Sequence, residues 1–119
     1  MECSLSMLSI VIPAYNEEAG IAETIDRILR IRENVISGTL GITDVEVIVV
    51  NDASKDRTAE IVARYPDVVL ITHKENRGYG GALKTGFESA KGEFIGFLDA
   101  DGTYPPGASN VTIVLDEAL

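Results

Sequence analysis

The sequence predicts an α/β fold with a central, mainly parallel sheet and flanking helices. Short apolar runs of strand length alternate with segments whose apolar residues recur at helical spacing. The runs are continuous rather than alternating with polar residues, which favours strands covered on both faces. Strands that alternate with helices are typical of parallel sheets with right-handed crossovers. The 119 residues suffice for one domain, and we expect residues 1–119 to form it.

Four apolar runs predict the strands. They have strand length, and three of them are rich in valine and isoleucine, which suit a strand. The runs cover residues 8–13, 45–50, 68–72 and 94–98.

The first predicted helix covers residues 17–32. Ile21, Ile25 and Ile28 recur there at helical spacing and define one apolar face. Asn16 has a side chain that suits the N-terminal cap of this helix.

Two further helices and a loop follow. A helix over about residues 56–65 ends before Pro66, which cannot continue it. Another covers about residues 80–90, where Gly92 is a natural C-terminal stop. We expect residues 34–44 to form a loop.

Composition excludes several classes of protein. The net charge of −9 disfavours binding to nucleic acid, because the chain repels a phosphate backbone. Cys3 is the only cysteine, so one chain forms neither a disulfide nor a cysteine zinc site. No apolar run approaches the ~18 residues of a membrane span, and the first seven residues carry Glu2 but no basic residue, unlike a secretory signal. We therefore expect a cytoplasmic protein.

In parallel sheets, ligands bind beyond the carboxyl ends of the strands. Polar and glycine-rich residues concentrate at those positions, in residues 14–18, 51–57, 73–81 and 99–104. These four segments hold the candidate functional residues.

Asp99 and Asp101 form the sharpest of these signals. Two carboxylates two residues apart at a strand end can converge on one hard cation, Mg²⁺ or Mn²⁺. The alternative is a solvated acidic turn closed by Gly102.

Asp52 follows the second predicted strand. Its carboxylate can accept a hydrogen bond from the edge of a nucleobase. The alternative is a capping turn that leads into residues 56–58, since aspartate and serine favour helix caps.

Residues 78–81 are rich in glycine and precede a predicted helix, so their N–H groups can face an anion. The alternative is a tight turn, and Leu83 breaks the dinucleotide-binding pattern of three spaced glycines. Lys74, Arg77 and Lys84 surround this segment and suit either a phosphate contact or a solvated face.

His73 is interpreted as structural, because the sequence contains no nucleophile elbow to pair with it.

Four segments together resemble family 2 glycosyltransferases. Residues 10–18 resemble the opening strand of that family and residues 49–56 its second-strand motif. Residues 76–87 are similar to the branch that makes polyprenyl- or dolichyl-phosphate sugars, and residues 97–106 contain the Asp-x-Asp signature. The resemblance covers about residues 8–106.

The resemblance implies a Rossmann-like glycosyltransferase fold of the A type. It also implies metal-dependent transfer of a sugar, with inversion, from a UDP- or GDP-sugar to a polyprenyl or dolichyl phosphate. Such an acceptor places the protein at the cytoplasmic face of a membrane. The residues at the family's donor-binding positions are Pro13, Tyr15, Glu17, Asp52, Asp99 and Asp101. We expect Lys84 and Ala100 to bind the nucleotide sugar as well. Asp99 and Asp101 match the metal-binding positions, and Asp101 is the catalytic candidate.

Two departures from the family pattern qualify this reading. Asn51 stands where many members have aspartate, and only residues 102–119 follow the Asp-x-Asp segment. We therefore expect the donor-binding part of such an enzyme, truncated after the Asp-x-Asp turn, that self-associates or takes a partner chain to complete the domain. The alternative is a nucleotide-binding fragment or subunit that is catalytically incomplete.

A haloacid-dehalogenase-type phosphatase is the remote alternative. There, Asp99 is the nucleophile and Asp101 the general acid. The 18 residues after Asp101 are too few for the further motifs of that class.

Overall fold

The computed structural model describes residues 6–36 and 42–98, apart from the side chains of residues 6, 34 and 35. The elements in chain order are β1 (Ser6–Ala14), α1 (Ile21–Ile36), β2 (Ile42–Asn51), α2 (Thr58–Val62), β3 (Val68–Thr72), α3 (Gly78–Ser89) and β4 (Phe94–Phe97). The four strands form one sheet in the order β3-β2-β1-β4, and each neighbouring pair is parallel. The predicted α/β class with a parallel sheet is confirmed.

The strand register brings three strand ends to the same level. Ala14 of β1 pairs with Asn51 of β2, and Asn51 pairs with Thr72 of β3. The polar segments that follow these strands therefore leave the sheet side by side. We call this boundary the carboxyl edge of the sheet.

Helices cover both faces of the sheet. α1 and α2 pack on one face, where Ile12 and Val49 meet Ile25 in the larger core cluster. α3 packs on the other face, where Ala82 meets the neighbouring strand residues. Because successive strand residues point to opposite faces, covering both faces demands continuous apolar runs.

α1 lies four residues later than the sequence predicted. The carbonyl of Glu17 accepts hydrogen bonds from the N–H groups of Gly20 and Ile21, which makes a turn before the helix. Asn16 has a left-handed backbone with φ 51° and does not cap the helix. α1 also continues to Ile36 and β2 begins at Ile42, so the predicted loop over residues 34–44 is wrong at both ends.

α2 is shorter than predicted, and α3 begins earlier. Gly78–Gly81 form the first turn of α3 rather than a loop before it. Further along α3, an ideal Cβ on Gly86 overlaps Cγ1 of Val11, so glycine allows the helix to approach β1. None of the helices in the described part of the chain has the length and apolar character needed to cross a membrane.

Candidate functional site

The loops that follow β1 and β2 are joined at the carboxyl edge. The N–H of Asn16 donates to Oγ of Ser54 (2.9 Å), and Oδ1 of Asn16 accepts from the N–H of Lys55 (2.8 Å). The N–H of Glu17 donates to Oγ1 of Thr58 (2.9 Å). These bonds hold the two loops in one arrangement, in which their side chains can present a fixed surface to a ligand.

Two residues in these loops have left-handed backbone. Asn16 has φ 51° and Ala53 has φ 63°. Asparagine visits this region readily, whereas an alanine there costs about 1–2 kcal/mol. The turn at Ala53 directly follows Asp52, so its strain lies at the candidate site.

Asp52 is held at the carboxyl edge between β2 and the start of α3. Its Oδ1 accepts from Nδ1 of His73 and the N–H of Arg77, and its Oδ2 accepts from the N–H of Gly78, each at 2.8 Å. The residue is 3% exposed. The carboxylate therefore occupies the N-terminal end of α3, where the helix dipole favours an anion.

Burial raises the pKa of Asp52, but the hydrogen bonds from His73, Arg77 and Gly78 lower it by more. The result is a pKa below the ordinary value of 3.8, so this carboxyl is an anion at neutral pH. An ionised carboxylate is purely an acceptor of hydrogen bonds, as reading an N–H group of a nucleobase requires.

The alternative that Asp52 caps the next helix is wrong. Oδ1 of Asp56, and not Asp52, accepts from the N–H of Thr58 at the start of α2. The glycine-rich residues 78–81 were expected to direct N–H groups at an anion. The N–H of Gly78 does so, but the anion is the carboxylate of Asp52.

From the sequence, His73 is interpreted as a structural residue, but the structure places it in the site beside Asp52. It is 6% exposed, its Nδ1 binds Asp52, and its Nε2 lies 2.7 Å from Oγ1 of Thr85. Its position directly after β3 was the feature of the sequence that could have placed His73 at the site. The sequence offers no such feature for Thr85, because nothing distinguishes this threonine from any other threonine in a helical pattern.

The other predicted residues are brought together only in part. Tyr15 and Glu17 follow β1 at the carboxyl edge, with Tyr15 44% exposed, while Pro13 is buried within β1. Lys84 lies on an exposed turn of α3, ~9 Å along the helix from Gly78. No hydrogen bond among the described residues joins Lys84 to Asp52.

The predicted metal ligands Asp99 and Asp101, with Ala100 between them, lie outside the described residues. Within residues 6–36 and 42–98 there is no group of three or more His, Cys, Asp or Glu that could hold a metal. The buried Leu98, whose N–H donates to the carbonyl of Val11 at 3.0 Å, fixes the chain immediately before Asp99. Two carboxylates following such a strand suit Mg²⁺ or Mn²⁺, because hard cations prefer oxygen ligands.

Comparison with known proteins adds relatives and structural neighbours. A dolichyl-phosphate beta-glucosyltransferase of Drosophila melanogaster is 41% identical over 101 residues, which is 80% of this chain and 31% of that protein. TarS of S. aureus in complex with UDP has a TM-score of 0.67 at 30% identity, covering 79% of this chain and 27% of that one. The mannosyltransferase PcManGT of Pyrobaculum calidifontis, in complex with GDP-Man and Mn²⁺, has a TM-score of 0.64 at 33% identity, with the same coverage.

The chain spans about three tenths of the length of the curated relatives that it matches. The structural neighbours have the A-type glycosyltransferase fold, so this part of the expectation is confirmed. Residues 9–113 match glycosyl transferase family 2, and the chain belongs to that family.

Proposed function

We propose that this chain forms the donor-binding part of a family 2 glycosyltransferase. The whole enzyme transfers a sugar, with inversion, from a UDP- or GDP-sugar to a polyprenyl or dolichyl phosphate. The observation that carries the proposal is the fixed, ionised carboxylate of Asp52 at the carboxyl edge of a sheet whose structural neighbours hold UDP or GDP-Man. Because the chain spans about three tenths of its relatives, transfer is proposed for the whole enzyme and donor binding for this stretch.

Different residues would contact different parts of the donor. Tyr15, with Pro13 and Glu17 beside it, lines the nucleoside pocket at the end of β1. Asp52 accepts a hydrogen bond from the base. Lys84, on the exposed side of α3, contacts the diphosphate, and its positive charge offsets locally the repulsion between that anion and a chain of net charge −9.

Asp99 and Asp101 would hold Mg²⁺ or Mn²⁺, with Ala100 contacting the sugar nucleotide between them. The cation, when bound, screens the charge of the leaving diphosphate. Asp101 is the proposed catalytic residue. Its carboxylate would hold the cation beside the diphosphate that leaves the sugar.

A lipid-phosphate acceptor is supported by the names of several relatives, among them those of Drosophila melanogaster and Homo sapiens. A phosphomonoester has a second pKa of about 6, so it is largely dianionic at pH 7. Such an acceptor attacks without a strong general base, whereas a hydroxyl acceptor needs one. With such an acceptor, we propose that the enzyme acts at the cytoplasmic face of a membrane.

Calorimetric titration of the purified chain with UDP and with GDP, each with and without Mn²⁺, tests the proposal. We expect one of the two nucleotides to bind, and Mn²⁺ to strengthen the binding. A folded, monodisperse sample that binds neither nucleotide with Mn²⁺ present contradicts the donor-binding function.

A further inference from the structure

The carboxylate of Asp52 has most of its hydrogen-bonding capacity in use. An ionised carboxylate offers about four acceptor positions, two on each oxygen. Oδ1 accepts from His73 Nδ1 and from the N–H of Arg77, and Oδ2 accepts from the N–H of Gly78. About one position therefore remains, and it belongs to Oδ2.

His73 is held at both ring nitrogens. Since the carboxylate of Asp52 only accepts, Nδ1 of His73 carries a hydrogen and donates it. Nε2 lies 2.7 Å from Oγ1 of Thr85, and that hydroxyl also lies 3.1 Å from the carbonyl of Gly81. The imidazole is 4% exposed, so the ring has no alternative partner in solvent. Thr85 thus fixes the orientation of His73, and His73 fixes Oδ1 of Asp52.

We propose that His73 determines which nucleobase the donor site accepts, and that the site selects uridine over guanosine nucleotides. This inference rests on the proposed function. By filling the second position of Oδ1, His73 leaves Asp52 a single acceptor for a ligand. Uracil offers one N–H, at N3, between two carbonyl oxygens. Guanine offers adjacent donors at N1 and N2, which need two acceptors.

The selection has an energetic basis. A guanine donor left unpaired in a desolvated site loses its hydrogen bond to water without gaining another. A loss of this kind weakens binding by about tenfold or more. His73 is therefore a positioning residue, because it acts through Asp52 and not through contact with the base.

The test compares the affinities of the whole chain for UDP and GDP, in the presence of Mn²⁺, between variants at position 73. In His73→Ala both the imidazole ring and its Nδ1 donor are lost, so the acceptor position of Oδ1 that the ring occupied is opened. We expect the preference for UDP over GDP to fall about tenfold. His73→Asn carries an N–H donor near the position of Nδ1 and should restore the preference.

Two further measurements separate positioning from packing. Thr85→Val removes the hydroxyl that fixes the ring and should lower the UDP preference, whereas Thr85→Ser should retain it. Nitrogen-15 chemical shifts of the imidazole in the unliganded chain should show a protonated Nδ1. Glu75→Gln, an exposed change in the loop after β3, is the matched control and should leave the preference unchanged.

The possible results separate a failure of this inference from a failure of the proposed function on which it rests. A wild-type chain that binds neither nucleotide contradicts the proposed donor site. A wild-type chain that binds GDP as tightly as UDP overturns the inference alone, as does an unprotonated Nδ1. The same holds if His73→Ala weakens the binding of both nucleotides by the same factor. Should His73→Ala fail to fold, the Asn variant, the two Thr85 variants and the nitrogen shifts decide the matter.

Discussion

Nδ1 of His73 and Oδ1 of Asp52 lie 2.8 Å apart, and each side chain is only 4% exposed. The two residues directly follow β3 and β2, which are neighbours in the sheet. Their hydrogen bond therefore ties two strand ends together at the carboxyl edge, where we propose that the donor binds. Because the pair is desolvated, loss of either partner leaves a buried polar group without its counterpart.

Acid should weaken the folded state through Asp52. Its pKa is lower in the folded chain than the ordinary 3.8, so ionised Asp52 stabilises the fold at pH values above 3.8. That contribution is lost as the pH falls from there through the lowered pKa. Unfolding free energies measured by denaturant titration between pH 6 and pH 3 should fall most steeply below about pH 4.

Asp52→Asn provides the control for this acid effect. The variant should be less stable at neutral pH, and its stability should fall less steeply below about pH 4. Some slope should remain, because the pKa of Asp56 is lowered as well: burial raises it, but the hydrogen bonds from Thr58 and Glu18 together lower it by more. Equal slopes for the variant and the wild type would exclude Asp52 as a source of acid sensitivity.

Gly86→Ala should destabilise the chain by about 1–3 kcal/mol, because the added methyl group overpacks α3 against Val11. Gly80→Ala is the matched control, since a Cβ at Gly80 in the same helix meets nothing within 4 Å. It should stabilise the chain by about 0.5–1 kcal/mol through helix propensity. Thermal unfolding of both variants checks the two predictions. If both substitutions change the stability in the same direction, the packing explanation is wrong.

Asn16→Ala should cost more than Asn16→Gly. Both changes remove the acceptor for the N–H of Lys55, worth about 1 kcal/mol. Only alanine adds the penalty of a left-handed backbone at φ 51°, about 1–2 kcal/mol. Denaturant unfolding measures the difference, and equal losses would show that the backbone at position 16 relaxes.

Asp101→Asn should remove most of the Mn²⁺-dependent part of nucleotide binding, because a neutral amide binds a hard cation more weakly than a carboxylate does. Calorimetry with and without Mn²⁺ measures that part, and circular dichroism should be unchanged. If the variant keeps the metal-dependent affinity of the wild type, the metal assignment is wrong.

The sheet followed well from sequence, because buried parallel strands need continuous apolar runs. β3 was predicted at its observed bounds, and β4 differs by one residue. Helix starts were predicted less well. The start of α1 is displaced because Asn16 and Glu17 bond to residues 54–58, which lie 38 to 41 positions away, and no local cap pattern reveals such bonds.

The site was predictable in position more than in detail. Parallel topology implied that Asp52 lies at the carboxyl edge, but its partners come from another strand end and another helix. The contact between His73 and Thr85 depends on how α3 sits on the sheet, which the spacing of residues does not express. The roles proposed for Asp99, Ala100 and Asp101 remain predictions.

The strand order β3-β2-β1-β4 has a consequence for the way the chain acquires its structure during synthesis. β1 is central, yet it pairs on one side with β4, where Leu8 meets Phe94, 86 positions later in the chain. β1 therefore leaves the ribosome well before β4, one of its two neighbours, is made. Until then the apolar β1 has an open edge that can pair with other chains. Pairing over such separations is slow, so chaperone binding to the nascent chain should matter most before β4 emerges.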